Sequence, residues 1–239
     1  MDWAGFIDIL ISLLTLSVLE IVLGVDNLVF LSIVSSRLPP HQQKSARRLG
    51  LIAALGMRLL LLAAAVWLAT LTRPLFYVAD FAIAGKDIFF ILGGGFLLIK
   101  GVYEIHREIE EMSEQYARRK YASFIGVVVQ IGLFDIIFSL DSILTAIGLT
   151  QVYWVMASAI TVAIIIMLFA SEYLSRFIQR HPTVKMLALS FLLLIGTVLV
   201  ADGLHFYIPR GYIYFSVCFS LFVEFLNNIM QRRRKKRAE

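Results

Sequence analysis

Seven stretches of this chain are apolar without a long break: residues 6–34, 49–72, 83–104, 123–148, 152–178, 184–204 and 211–230. A hydrocarbon core about 30 Å thick takes roughly 20 helical residues to cross. Backbone exposed to lipid must satisfy its own hydrogen bonds, so each stretch is predicted to be a helix. The expected fold is therefore an all-α membrane protein with seven transmembrane helices. Charged residues make up only 16% of the 239, against about 25% in soluble domains, and the mean hydropathy is +0.82.

The first stretch is too long and too acidic for a secretory signal and is expected to be retained. The single cysteine, Cys218, falls inside the last stretch. No intramolecular disulfide and no thiolate metal cluster can be built from it, so redox chemistry is not expected.

Basic residues set the orientation, because Lys and Arg gather on the cytoplasmic side of short loops. Of the 22, 17 fall on one set of alternate connections: Arg37 to Arg48, Arg107 to Lys120, Arg176 to Lys185, and Arg232 to Arg237. The opposite side holds Arg73, Lys86 and Arg210, which places the N-terminus outside and the C-terminus inside. The basic tail, 231–239, then reads as a topogenic anchor at the end of a membrane helix and not as a nucleic-acid site. The charged segment 105–122 reads as a cytoplasmic helical linker, with Glu114 and Arg118 at i, i+4 spacing.

Acids inside the apolar stretches are the feature that this frame makes costly. LEIVLGVDNLVF, from Leu19, and FDIIFSLDSILT, from Phe134, repeat one pattern 115 residues apart. Glu20 corresponds to Asp135, Asp26 to Asp141 and Asn27 to Ser142. Each charge at the centre of a membrane helix costs roughly 2.5–3.5 kcal/mol, so four cost on the order of 10 kcal/mol unless they act together. Interhelical hydrogen bonding is the ordinary role of one polar residue such as Asn27 or Ser142. A repeated pair of acids at matching depth points instead to a site.

Three crossings separate the two copies, so they are predicted to be inverted repeats, 6–104 and 123–204, with 211–230 an unpaired seventh helix in a single membrane domain, 1–239. Such repeats are characteristic of secondary transporters that bind at the midplane. On a straight helix Glu20 and Asn27, seven apart, share a face, whereas Asp26 points about 240° from Glu20. Local unwinding at Gly24, and less easily at Ser139, is the expected way to turn all three inward.

Four carboxylates, an amide and a hydroxyl form an oxygen-rich, negative ligand set suited to a hard divalent cation such as Mg, Ca or Mn. None of the four histidines lies in these motifs, which disfavours zinc and copper. Buried carboxyls also take up protons readily, which offers proton coupling. Asp26 and Asp141 are the first candidates as metal ligands, Glu20 and Asp135 as ligands or proton carriers, and Asn27 and Ser142 as neutral donors. Arg58 is deep enough to need one of the acids as partner, as a structural pair or a gate. Gln130, and Glu224 with Asn227 on the seventh helix, are further candidates to line the site or pack it. Lys100 and Glu172 are expected to snorkel. Gly93, Gly94 and Gly95 lack the GK[ST] of a phosphate loop and are expected to serve close helix packing. No catalytic triad, HExxH or paired cysteine occurs, so no enzyme and no prosthetic group is expected.

LEIVLGVDN, QIGLFDIIFSLDSILTAIGL, HPTVKMLALSFLLLIG and IPRGYIYFSVCFSLFVEFLN, in this order from Leu19 to Asn227, resemble the TerC family of bacterial membrane proteins. That family takes its name from tellurium resistance. The resemblance implies seven helices related to small-solute exporters of the lysine-exporter type, and export of Mn(II) from the cytoplasm. It places the family's acidic motif on Glu20, Asp26 and Asn27, and on Asp135, Asp141 and Ser142. It also implies delivery of metal to exported enzymes near the secretion machinery. Two rivals stand beside this reading: an exporter of a small organic solute such as an amino acid, which would want aromatic or mixed-charge contacts, and a non-transporting scaffold for stress response or metalation that would work through the linker and tail.

Overall fold

A computed structural model of the chain describes residues 3–64, 74–78, 81–113, 122–149 and 152–238. Among the described residues, seven helices and one short hairpin follow in the order α1 (Trp3–Ser35), α2 (Pro40–Ala63), β1 (Pro74–Val78), β2 (Phe81–Ala84), α3 (Gly85–Ser113), α4 (Phe124–Leu149), α5 (Tyr153–Arg180), α6 (Pro182–Gly203) and α7 (Arg210–Ala238). Four contain described runs long and apolar enough to cross a membrane, at Ile7–Ser35, Gly85–Glu110, Tyr153–Arg180 and Pro182–Gly203. Shorter apolar helical runs cover Phe124–Leu140 and Gly211–Asn227.

The second helix starts ahead of the expected 49–72, and residues 65–72 of that stretch lie outside the described residues. It begins at Pro40, with Pro39 as its N-cap, because a proline in the first turn gives up an N–H that has no helical partner anyway. Gln43 Nε2 fastens that turn by donating to Leu38 O at 2.9 Å. Apolarity alone missed this start, since Lys44, Arg47 and Arg48 occupy the first turns. The helix ends at Ala63, where the Ala64 N–H bonds to Leu60 O.

The hairpin was not expected. Its strands pair antiparallel, with Phe76 opposite Ile83 and Val78 opposite Phe81, and the register shifts between Pro74 and Phe76. Proline at a strand's first residue is one of the few sites a sheet tolerates. Asp87, in the first turn of α3, reaches back to accept from the Ala84 N–H at 2.8 Å and closes the junction from strand to helix. Helix α3 then runs through the first part of the charged linker to Ser113. The expected Glu114–Arg118 pair lies outside the described residues. The basic tail to Ala238 continues helix α7.

The chain forms two compact units, Met1–Phe89 with Arg118–Gln179, and Phe90–Ala117 with Arg180–Glu239. The first holds α1, α2, the hairpin, α4 and α5; the second holds most of α3 with α6 and α7. In the first unit α4 packs against both α1 and α2. Its core includes Leu16, Leu28, Phe134, Ile143, Ile160 and Ile164, and the Phe30 and Phe134 rings stack at 3.6 Å. Serines within these helices bond backward along their own helix, as Ser32 does to Leu28 O at 2.9 Å and Ser139 to Ile136 O at 3.2 Å. Ser32 and Ser139 therefore satisfy their hydroxyls within their own helix.

In the second unit a Cβ on Gly94 would lie 2.6 Å from the Gly196 carbonyl oxygen, and one on Gly101 would lie 2.6 Å from Leu193 Cδ2. As residue number rises along α3 it falls along α6, so the two run antiparallel with their backbones almost touching. Of the glycine run, Gly94 thus serves helix packing, whereas a Cβ on Gly95 would meet nothing within 4 Å. After α6 the Phe206 N–H bonds to Ala201 O at 2.8 Å and the His205 N–H to Asp202 O at 3.1 Å. That is the double bond of a Schellman turn, with His205 at φ 66° where glycine is usual.

Candidate functional site

Arg58 of α2 sits at the meeting point of α1, α2 and α4. Its Nη1 donates to Glu20 Oε2 at 2.6 Å, its Nη2 to Asp135 Oδ1 at 2.8 Å, and its Nε to both Asp135 oxygens at 3.2 Å. The planar fork takes one carboxylate side-on and leaves its remaining arm for the other, which a lysine ammonium has no geometry to do. Exposure is 2% for the Arg58 side chain, 1% for Glu20 and 8% for Asp135. The triad carries one net negative charge with both acids ionised. The expectation of one acidic partner for Arg58 is thus exceeded: it holds the corresponding acids of both sequence copies at once.

The neutral positions pair crosswise. Asn27 Nδ2, seven residues after Glu20, donates to Asp135 Oδ1 at 3.3 Å. Ser142, seven residues after Asp135, lies beside the Glu20 carboxylate while its hydroxyl donates to Ser139 O at 3.2 Å. Position 20 therefore meets 142, and 27 meets 135, so α1 and α4 run antiparallel through the cluster. Glu20 and Asn27 do share a face of α1, as the 3.6-residue period requires.

The expected unwinding does not occur. Both α1 and α4 are unbroken through the motif. Gly24 has another use, because a Cβ there would lie 2.6 Å from Met167 Sδ. Its missing side chain lets α5 approach α1, which is a packing role and not a hinge. Ser139 keeps its helical backbone and is fully buried.

Asp26 lies on the helical backbone of α1 and Asp141 on that of α4; their side chains lie outside the described residues. Among the described residues no three His, Cys, Asp or Glu side chains gather as a metal cluster. Two oxygens of the triad region, Glu20 Oε1 and Asn27 Oδ1, are buried without a hydrogen-bond donor. Buried acceptors without donors suit a hard cation, which binds through oxygen. Gln130 Nε2 is likewise buried without an acceptor. Glu224 accepts from the Thr183 hydroxyl within the second unit, the packing use foreseen for it. Asn227 is half-buried on the same helix.

Three ion pairs were not foreseen. Glu172, expected to snorkel, pairs with Lys44 at 3.0 Å and with Arg176 at 3.2 Å. Lys185 pairs with Glu108 across α6 and α3. Spacing could have suggested the Glu172–Arg176 pair, being i, i+4; the other two pairs span 128 and 77 residues and left no local trace.

Four helices of membrane-crossing length, together with a buried Glu–Arg–Asp triad, define a polytopic membrane protein with an ion-paired interior. The chain belongs to the Integral membrane protein TerC family, whose model matches residues 6–239. It is 48% identical over 219 residues to the UPF0053 inner membrane protein YgdQ of Escherichia coli K12, covering 92% of each chain. It is 49% identical over 231 residues to the UPF0053 inner membrane protein YoaE of the same strain, covering 96% of this chain and 43% of that one. The UPF0053 protein YegH, also of that strain, is 47% identical over 237 residues, 98% of this chain and 45% of that one. The chain thus spans under half the length of YoaE and YegH. No solved structure matches it. The protein is a multi-pass inner membrane protein.

Proposed function

We propose that this protein exports a divalent cation, Mn(II) foremost, from the cytoplasm by alternating access of its two sequence halves. The observation that carries the reading is the buried Glu20–Arg58–Asp135 triad, which joins the corresponding acids of both copies across antiparallel helices. The crosswise contacts of Asn27 and Ser142 support halves related by an inverted two-fold. The family resemblance supplies manganese, and oxygen ligands agree with it.

In this reading Arg58 is an internal counter-ion. It offsets the charge of the two acids in apolar surroundings between transport events, when no metal is bound. Asp26 and Asp141, each six residues beyond a triad acid, are the principal ligands, with Asn27 and Ser142 adding neutral oxygens. A divalent ion brings two positive charges and competes with Arg58 for Glu20 and Asp135. Protons exchanged on these carboxyls provide the coupling.

Anomalous diffraction at the manganese edge from a crystal soaked in Mn(II) tests the assignment. A peak between α1 and α4 in contact with Asp26 or Asp141 is expected. Absence of a peak at saturating metal would remove the ligand set.

A further inference from the structure

A second charged region lies where the first turns of α2 meet the last turns of α5, on the side where the basic loops gather. A cavity of about 200 Å³ opens there, lined by Lys44, Arg47, Arg48 and Arg176 against a single carboxylate, Glu172. Glu172 is already engaged, at 3.0 Å from Lys44 and 3.2 Å from Arg176. The two remaining guanidiniums make no ion pair among the described residues, although Arg47 lies close enough to Glu172 to feel its charge. Arg47 is buried at 6% exposure, and its one hydrogen bond among the described residues is a long one, 3.5 Å, to Ser35 Oγ. Arg48 makes no ion pair among the described residues. A buried guanidinium that must share one carboxylate with two other cations is incompletely neutralised, and an anion entering the cavity removes that cost.

The cavity walls show what kind of anion. Phe169 and Tyr173, one helical turn apart on α5, border the cavity and are each 74% exposed. Leu49 and Ile52 of α2, 47% and 56% exposed, stand close in sequence to Arg48. Exposed rings and aliphatic side chains beside cations at the end of a membrane helix form the contact surface of a phospholipid, with tails along the apolar residues and the headgroup on the charges. Arginine pairs, moreover, favour the oxygens of phosphate, which they bind in a planar fork.

We propose that this cavity is a binding site for a phosphate group, supplied by the headgroup of an anionic phospholipid. Arg47 and Arg48 take the phosphate oxygens, and Lys44 and Arg176 divide their charge between it and Glu172. The site is separate from the triad and does not depend on what the protein transports.

Thermal unfolding of the purified full chain in detergent tests this, with dioctanoyl phosphatidylglycerol, dioctanoyl phosphatidylcholine and inorganic phosphate each titrated in. The comparison is with Lys44→Gln/Arg48→Gln, two exposed positions at which the fold is expected to survive. Phosphatidylglycerol should raise Tm saturably in the wild type and phosphatidylcholine should not. In the double variant the apparent affinity for phosphatidylglycerol should fall roughly 30-fold, the combined effect of two basic residues near an anionic lipid. An equal rise with phosphatidylcholine, or an unchanged response of the variant, overturns the proposal. If inorganic phosphate gives the same saturable shift and the same loss in the variant, the phosphate site stands and the lipid is overturned as its source.

Discussion

The two compact units hold their helices together by different physics. In the first, α1, α2 and α4 meet through a buried arginine that bonds two acids, with Asn27 and Ser142 beside it. In the second, α3 and α6 meet backbone to backbone at Gly94 and Gly196. Of the polar pairs described in that unit, Lys185 with Glu108 is part-buried and Thr183 with Glu224 is exposed. A glycine contact depends on shape and does not respond to an ion. A buried charge held by its partner does respond, because any new cation competes for the same oxygens. Under the proposed function, cation chemistry falls to the first unit and framework to the second.

The contrast breaks most directly at Arg58. Arg58→Ala leaves two buried acids without their counter-ion and should destabilise the protein by about 3–5 kcal/mol, read as a fall in Tm of the detergent-solubilised chain. Replacing the triad whole, with Glu20→Leu, Arg58→Met and Asp135→Leu, should recover most of that stability, since apolar groups of similar volume often replace a buried ion pair at no cost. It should not recover transport. Recovery of both would mean that the triad serves only packing.

In the second unit Gly94→Leu should cost roughly 1–3 kcal/mol, because the added side chain meets the Gly196 carbonyl. Manganese selectivity of the protein that still folds should be unchanged, measured as competition by other divalent ions. The smallest effect belongs to Glu108→Gln, which removes a pair that is 15% and 22% exposed. A change of about 0.2–1 kcal/mol in unfolding is expected there, with transport intact.

Legibility from sequence followed the range of the forces involved. The helices announced themselves through runs of apolar residues, and the alliance of Glu20, Asn27 and Asp135 through the helical period and the repeat. Local chemistry hid the rest. The start of α2 was obscured by Lys44, Arg47 and Arg48, which lower hydropathy where Pro39 and Pro40 begin the helix. The hairpin lies in a short aromatic stretch between two membrane segments, where apolar content gives no means of telling strand from helix. Gly24 looked like a point of weakness because its packing partner, Met167, is far away in sequence. The double grip of Arg58 required two contacts of 38 and 77 residues' separation, which no single motif records.

Manganese flux through the purified full chain in proteoliposomes tests the central claim most directly, comparing wild type with Asp26→Asn and Asp141→Asn. The wild type should carry Mn(II). Both variants should insert and melt like the wild type and carry none. Flux retained in both variants, or no flux in the wild type, contradicts the account.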